Sequence, residues 1–130
     1  LGGHVTVGDR VIMGGGAAIH QFCRIGEGAF MQGHAGASVD IPAWCISKEI
    51  NRIAGLNLIG MRRSGMSRDD IADRRAAYRV IYRSDLAMPA VIAQLRADGG
   101  RIFTEYADFI EQSERGICHD RDPASRHSIK

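Results

Sequence analysis

The chain is poor in the features that usually announce a compartment or a class of partner. Its cysteines are three, Cys23, Cys45 and Cys118, an odd number with no CxxC pair among them. Such usage gives no disulfide framework and fits a reducing compartment. The formal charge of +2 is too small to argue for nucleic acid or an anionic membrane surface. No apolar run reaches the roughly 18–20 residues that span a bilayer. A soluble, cytoplasmic protein is the expectation, without nucleic acid and without a membrane span.

What the chain does have is a period. Every sixth residue from Leu1 reads Leu1, Val7, Met13, Ile19, Ile25, Met31, Ala37. Four places on, the same register gives Val5, Val11, Ala17, Cys23, Ala29, Ala35 and Ile41, all small or aliphatic. One place on, glycine dominates, with Gly2, Gly8, Gly14 and Gly26. A fixed hexapeptide period is the mark of a parallel β-helix, in which each repeat is one short strand and a corner. Such a repeat buries its apolar residues only by stacking on its neighbours. Cys23, at a small interior position, reads as a small hydrophobe. Leu1 already occupies an interior position, and solenoids need polar caps, so the chain reads as the C-terminal part of a longer protein.

The six-residue register fades after Ile41-Pro42, where Pro42-Ala43-Trp44 reads as an exit corner. The pattern divides into β-helix coils over 1–46, an irregular connector over 47–65, a helical domain over 66–116 and a polar, disordered tail over 117–130. In the helical part, Ser67-Arg-Asp-Asp70 resembles a capping box ahead of Ile71, Tyr78, Ile81 and Tyr82. Pro89 fits the first turn of a second helix that Gly99-Gly100 stops. Ile102, Phe103, Tyr106, Phe109 and Ile110 mark a third, ending at Gly116.

Side chains alternate faces along a strand, so the inward positions leave His4, His20, Phe22 and His34 outward or at corners. If three hexapeptides complete a coil, residues three repeats apart stack, which sets His4 over Phe22, with His20 two residues away on the same strand. His4 and His20 then share one patch beside Gln21. Neutral imidazole there can act as acid, base or hydrogen-bond partner. No carboxylate or cysteine completes a metal set in that patch, so no metal is expected. Ile12, Phe22 and Phe30 point outward as well, and symmetric packing against further copies would cover them. In the connector, Arg62-Arg63 has the planar fork that suits phosphate, although a solvated basic pair before a helix has the same spacing.

Taken in order, Gly-Gly-His4-Val-Thr-Val, Ile19-His20-Gln21-Phe22, Asn57-Leu-Ile-Gly-Met-Arg-Arg63-Ser-Gly65 and Tyr78-Arg-Val-Ile-Tyr82-Arg-Ser84 resemble the C-terminal half of the UDP-N-acetylglucosamine O-acyltransferases of lipid A synthesis. The resemblance runs from Leu1 to about Gly116. It implies a left-handed parallel β-helix of hexapeptide repeats followed by a small C-terminal helical domain, a homotrimer, and active sites between subunits. It also implies transfer of a 3-hydroxyacyl chain from acyl carrier protein to the 3-hydroxyl of UDP-N-acetylglucosamine, with no cofactor.

The same resemblance places the family's general-base histidine one coil ahead of Leu1 and a lysine further ahead, so no catalytic base is assigned within the chain. His4, His20 and Gln21 match residues lining the nucleotide-sugar cleft. Asn57 and Arg63 match those gripping the uridine-diphosphate end. Gly33 matches the acyl-chain ruler, and a glycine there implies room for a longer chain. Ile59 stands where the family often carries a glutamate. The alternatives are a non-catalytic trimeric remnant that binds the nucleotide sugar, the related N-acyltransferase of the same pathway, and a carbonic-anhydrase-like β-helix. The Asn57 to Arg63 connector and the helical tail argue against the last two.

Overall fold

The computed structural model describes residues 3–120. It divides into two units: one holds the chain up to Asn57 together with the residues from Arg115 on, and the other is Leu58–Glu114.

In the first unit a hexapeptide has room for one short strand and one turn, and six such strands result. They are β1 (Thr6–Val7), β2 (Ile12–Met13), β3 (Ala18–Ile19), β4 (Arg24–Ile25), β5 (Phe30–Met31) and β6 (Gly36–Ala37). Consecutive strands do not pair; β1 pairs β4, β2 pairs β5 and β3 pairs β6, all parallel. In each pair the partners stand three hexapeptides apart, in the register Thr6↔Arg24, Ile12↔Phe30 and Ala18↔Gly36. Three hexapeptides thus separate the paired strands, the spacing supposed above for one coil.

Cys23, Ile25, Ala29, Met31, Ala35 and Ala37 are buried, the positions that the six-residue register marks as interior. The glycine column has a separate cause. A Cβ on Gly26 would lie 2.4 Å from the backbone nitrogen of Ala43, and one on Gly14 would lie 2.5 Å from that of Gly33. Here one coil's backbone rests directly on the next, and only glycine permits the approach.

Ile41 departs from its expected place. It pairs with Ile25, and Phe30 pairs with Ile46, so this coil closes two positions short of three hexapeptides. The shortened turn carries a buried anchor: Asp40 accepts from the Arg24 amide at 2.8 Å and from Arg24 Nε at 3.2 Å.

The stretch read as an irregular connector is regular for much of its length. β7 (Cys45–Lys48) extends the β2-β5 sheet, and β8 (Arg52–Leu56) pairs with β7 antiparallel. The turn between them places Asn51 at φ +59, and the Asn51 carboxamide bonds both the amide and the hydroxyl of Ser38. The residues from 117 were expected in a disordered tail. Instead, Ile117 pairs with Asp40 and His119 with Arg52, and Cys118 is fully buried. Residues 121–130 of that expected tail lie outside the described residues.

The second unit holds α1 (Leu58–Arg63), α2 (Arg68–Arg83), α3 (Met88–Asp98) and α4 (Arg101–Glu111). Helix α1 also falls within the stretch read as a connector. Ser67 caps α2, its hydroxyl accepting from the Asp70 amide at 3.1 Å. Pro89 sits in the first turn of α3, and Gly99, at φ +71, closes it by donating its amide to the Leu95 carbonyl. α4 ends at Glu111, short of the expected Gly116. Ala77, Ile81, Tyr82, Val91, Leu95, Ile102, Tyr106, Ala107 and Ile110 form the core. Arg74 is buried among them, paired with Glu105 at 2.9 Å and lying over the Tyr106 ring. No helix among the described residues is long and apolar enough to cross a membrane.

Candidate functional site

The turns between the short strands set the direction of the candidate side chains. His4, Arg10, Phe22, His34 and Trp44 all adopt positive φ, between +57 and +67, as the chain rounds each corner. Left-handed backbone is uncommon for residues other than glycine, and a ring there must rest on something that fits it. His4 and Phe22, one coil apart, stack with centroids 5.2 Å apart and planes 1° from parallel. The predicted superposition of these two residues is what the structure contains.

The expectation that His20 shares a strand with Phe22 is corrected. His20 follows β3, and Gln21 and Phe22 form the turn closed by the Cys23 amide on the His20 carbonyl at 3.4 Å. This hexapeptide spends its middle residues on the corner. The Phe22 amide donates to the Gly3 carbonyl at 3.3 Å, so the turn carrying His20 and Gln21 rests on the turn carrying His4. His4, His20, Gln21 and Phe22 are exposed.

At a second corner, glycine faces an aromatic ring. Trp44 lies flat on Gly28, so closely that a Cβ on Gly28 would meet the indole Cε3 within 2.2 Å. His34 covers Gly16 in the same way at a third. Gly33, just before His34, is exposed, and a Cβ there would come within 4 Å of the Gly15 carbonyl oxygen alone, at 3.4 Å. The position is open.

Asn57 ends the first unit. Its amide donates to the Trp44 carbonyl at 2.7 Å, and its Nδ2 donates to the Gly28 carbonyl at 3.0 Å. Arg63 belongs to the second unit, exposed in the last turn of α1 beside Arg62. Basic side chains there meet the partial negative charge of the helix end. Ile59, in the same helix, is 63% exposed. Among the described residues, no group of three His, Cys, Asp or Glu side chains is gathered that could hold a metal ion.

Reading the residues alone misses the seat under Asn57, because on sequence grounds Trp44 belongs only to an exit corner. The available signal is a tryptophan that falls two positions short of three hexapeptides beyond a glycine. That offset becomes meaningful once the coil is known to shorten by the same amount there.

Residues 40–118 match the family model described as UDP-N-acetylglucosamine O-acyltransferase, domain 2. An acyl-[acyl-carrier-protein]–UDP-N-acetylglucosamine O-acyltransferase of Anaeromyxobacter dehalogenans is 39% identical over 120 residues, covering 90% of this chain and 47% of the relative. The enzyme of that name from Myxococcus xanthus is 39% identical over 116 residues, covering 87% and 45%. Among solved structures, the UDP-N-acetylglucosamine acyltransferase of Francisella novicida superposes with a TM-score of 0.86 at 29% identity, over 95% of this chain and 46% of that one. That of Bacteroides fragilis does so at 0.82 and 33% identity, over 90% and 47%. The chain spans about half the length of the curated relatives it matches. By these matches the chain belongs to the UDP-N-acetylglucosamine O-acyltransferase domain 2 family.

Proposed function

We propose that this chain forms part of an acyltransferase that moves a 3-hydroxyacyl group from acyl carrier protein to the 3-hydroxyl of UDP-N-acetylglucosamine. The observation that carries the reading is the family match over residues 40–118, the segment that includes both Asn57 and Arg63. The three parallel pairings, each between strands three hexapeptides apart, support a β-helix for the first unit, whose left hand is what the family resemblance implies. Exposed Ile12, at 55%, and Phe22, at 53%, support covering of the outer wall by further copies, in this reading those of the cytoplasmic homotrimer that the resemblance implies.

In this reading a base supplied from outside the described residues takes the proton of the sugar 3-hydroxyl as that oxygen attacks the thioester carbonyl. A backbone N–H stabilises the tetrahedral oxyanion. The oxyanion collapses, the C–S bond breaks and the carrier thiolate leaves with a proton. The chain's own contribution is binding. His4, His20 and Gln21 line the sugar cleft, Asn57 and Arg63 hold the uridine-diphosphate end, and open Gly33 leaves room for a longer acyl chain.

The test is Arg63→Ala in the full-length gene product. A charge-assisted hydrogen bond to phosphate contributes about 1.5–3 kcal/mol, so UDP-N-acetylglucosamine affinity should fall about ten- to a hundredfold. Unchanged affinity overturns the role of Arg63. Binding of the nucleotide sugar without acyl transfer would leave a trimeric binding module in place of an enzyme.

A further inference from the structure

Trp44 is nearly fully buried, and its indole Nε1 is buried without a hydrogen-bond partner. An unpaired buried N–H costs stability, so the feature of the ring that the geometry uses is its flat contact with Gly28. Phe22 shows that an aromatic without a polar atom can adopt the same left-handed backbone at another corner, at φ +67 against +60 for Trp44.

The flat ring lies on Gly28, and the peptides of these two residues are the attachment points of Asn57. Gly28 is held from the preceding coil, its amide donating to the Asp9 carbonyl at 2.9 Å. Trp44 is held in turn by its amide on the Glu27 carbonyl at 2.7 Å. Asn57 then takes its backbone bond from Trp44 and its side-chain bond from Gly28. The two attachment points are packed together, because the indole leaves no room even for a Cβ on Gly28.

We infer that Trp44, packed on Gly28, is a positioning residue that aims the Asn57 carboxamide at the nucleotide sugar. The inference rests on the proposed function and names a residue that acts through Asn57 rather than on substrate. Removing the ring lets the Gly28 and Trp44 carbonyls drift, and displacement of a substrate-positioning group by about 1 Å can cost up to about a hundredfold.

The experiment uses the full-length gene product with W44L and W44M, which keep apolar bulk without a flat ring, and W44F, which keeps the ring. The expected result for a folded ring-free variant is a KM for UDP-N-acetylglucosamine raised about tenfold or more. The KM for the acyl-carrier thioester should stay at its wild-type value, and W44F should restore the nucleotide-sugar KM. In an Asn57→Ala background W44L should add little, since the residue it acts through is gone. Two ring-free variants make a folded comparison available if one fails to melt cooperatively. A folded ring-free variant with wild-type KM overturns the inference, as does W44F with the same defect as W44L. If the wild-type protein itself does not bind UDP-N-acetylglucosamine, the functional reading fails and the positioning role falls with it.

Discussion

The two units reach a fold by different routes. In the first, order comes from backbone: very short strands, glycines that let one coil rest on another, and peptide bonds handed from coil to coil. In the second, order comes from side chains: helices whose buried Leu95, Val91, Tyr106 and Ile81 pack at helical spacing, with caps at Ser67 and Gly99. A hexapeptide repeat is too short to bury a face of its own, whereas α2, α3 and α4 are long enough to do so. Added volume at the glycine contacts is therefore the distinctive hazard of the β unit, beside the loss of buried volume that both units feel.

That contrast can be broken in order of expected effect. Leu95→Ala removes a fully buried side chain and should destabilise the helical unit by about 2–5 kcal/mol. Loss of helical circular dichroism at a lowered Tm, with amide protection at Cys118 and Gly26 retained, is the expected outcome. Protection lost in both units together would erase the distinction. Gly26→Ala adds one methyl where the next backbone stands 2.4 Å away, at a cost of about 1–3 kcal/mol. Exchange should then quicken at the Gly26 amide, which bonds the Ile41 carbonyl at 2.8 Å, while the helices melt as before. Unchanged exchange would mean that the coils have slack.

The smallest effect sharpens the comparison through pH. Burial pushes the Cys118 thiol up from 9.0 to about 12. The folded state favours the neutral thiol, so its contribution is intact below pH 9 and is lost as pH rises from 9 toward 12. One such group changes stability by at most about 1.4 kcal/mol per pH unit. Cys118→Ala should flatten that decline just above pH 9, read from denaturant midpoints. An identical slope in the variant would assign the decline to other groups.

Much of this was legible in the residues because repetition amplifies a weak signal. One Val-x-Val is ambiguous, but a run of repeats in register specifies which positions face inward, and Cys23, Ile25 and Met31 are buried accordingly. Helix starts at Ser67 and Pro89 were legible because their chemistry is local. The missed elements depend on their pairing partners rather than on their own residues. β8 contains Gly55 and an exposed Ala54, and it is a strand because β7 lies beside it. The segment around Cys118 is ordered by Asp40 and Arg52, which precede it by the whole length of the helical unit. Among candidate site residues, the meeting of His4 with Phe22 followed from the period once three repeats were taken to a coil. The seat beneath Asn57 did not, because it depends on one coil that is shorter than those before it.

The return of the chain at Ile117 and His119 onto Asp40 and Arg52 means that residues 58–114 leave and re-enter the same body. Topologically, the helices are a long closed loop inserted in the β unit. Their melting would not release either end, and the chain would remain tethered at both. Closure entropy grows slowly with length, about 0.6 kcal/mol per doubling. Lengthening the helical segment should thus burden the β unit little.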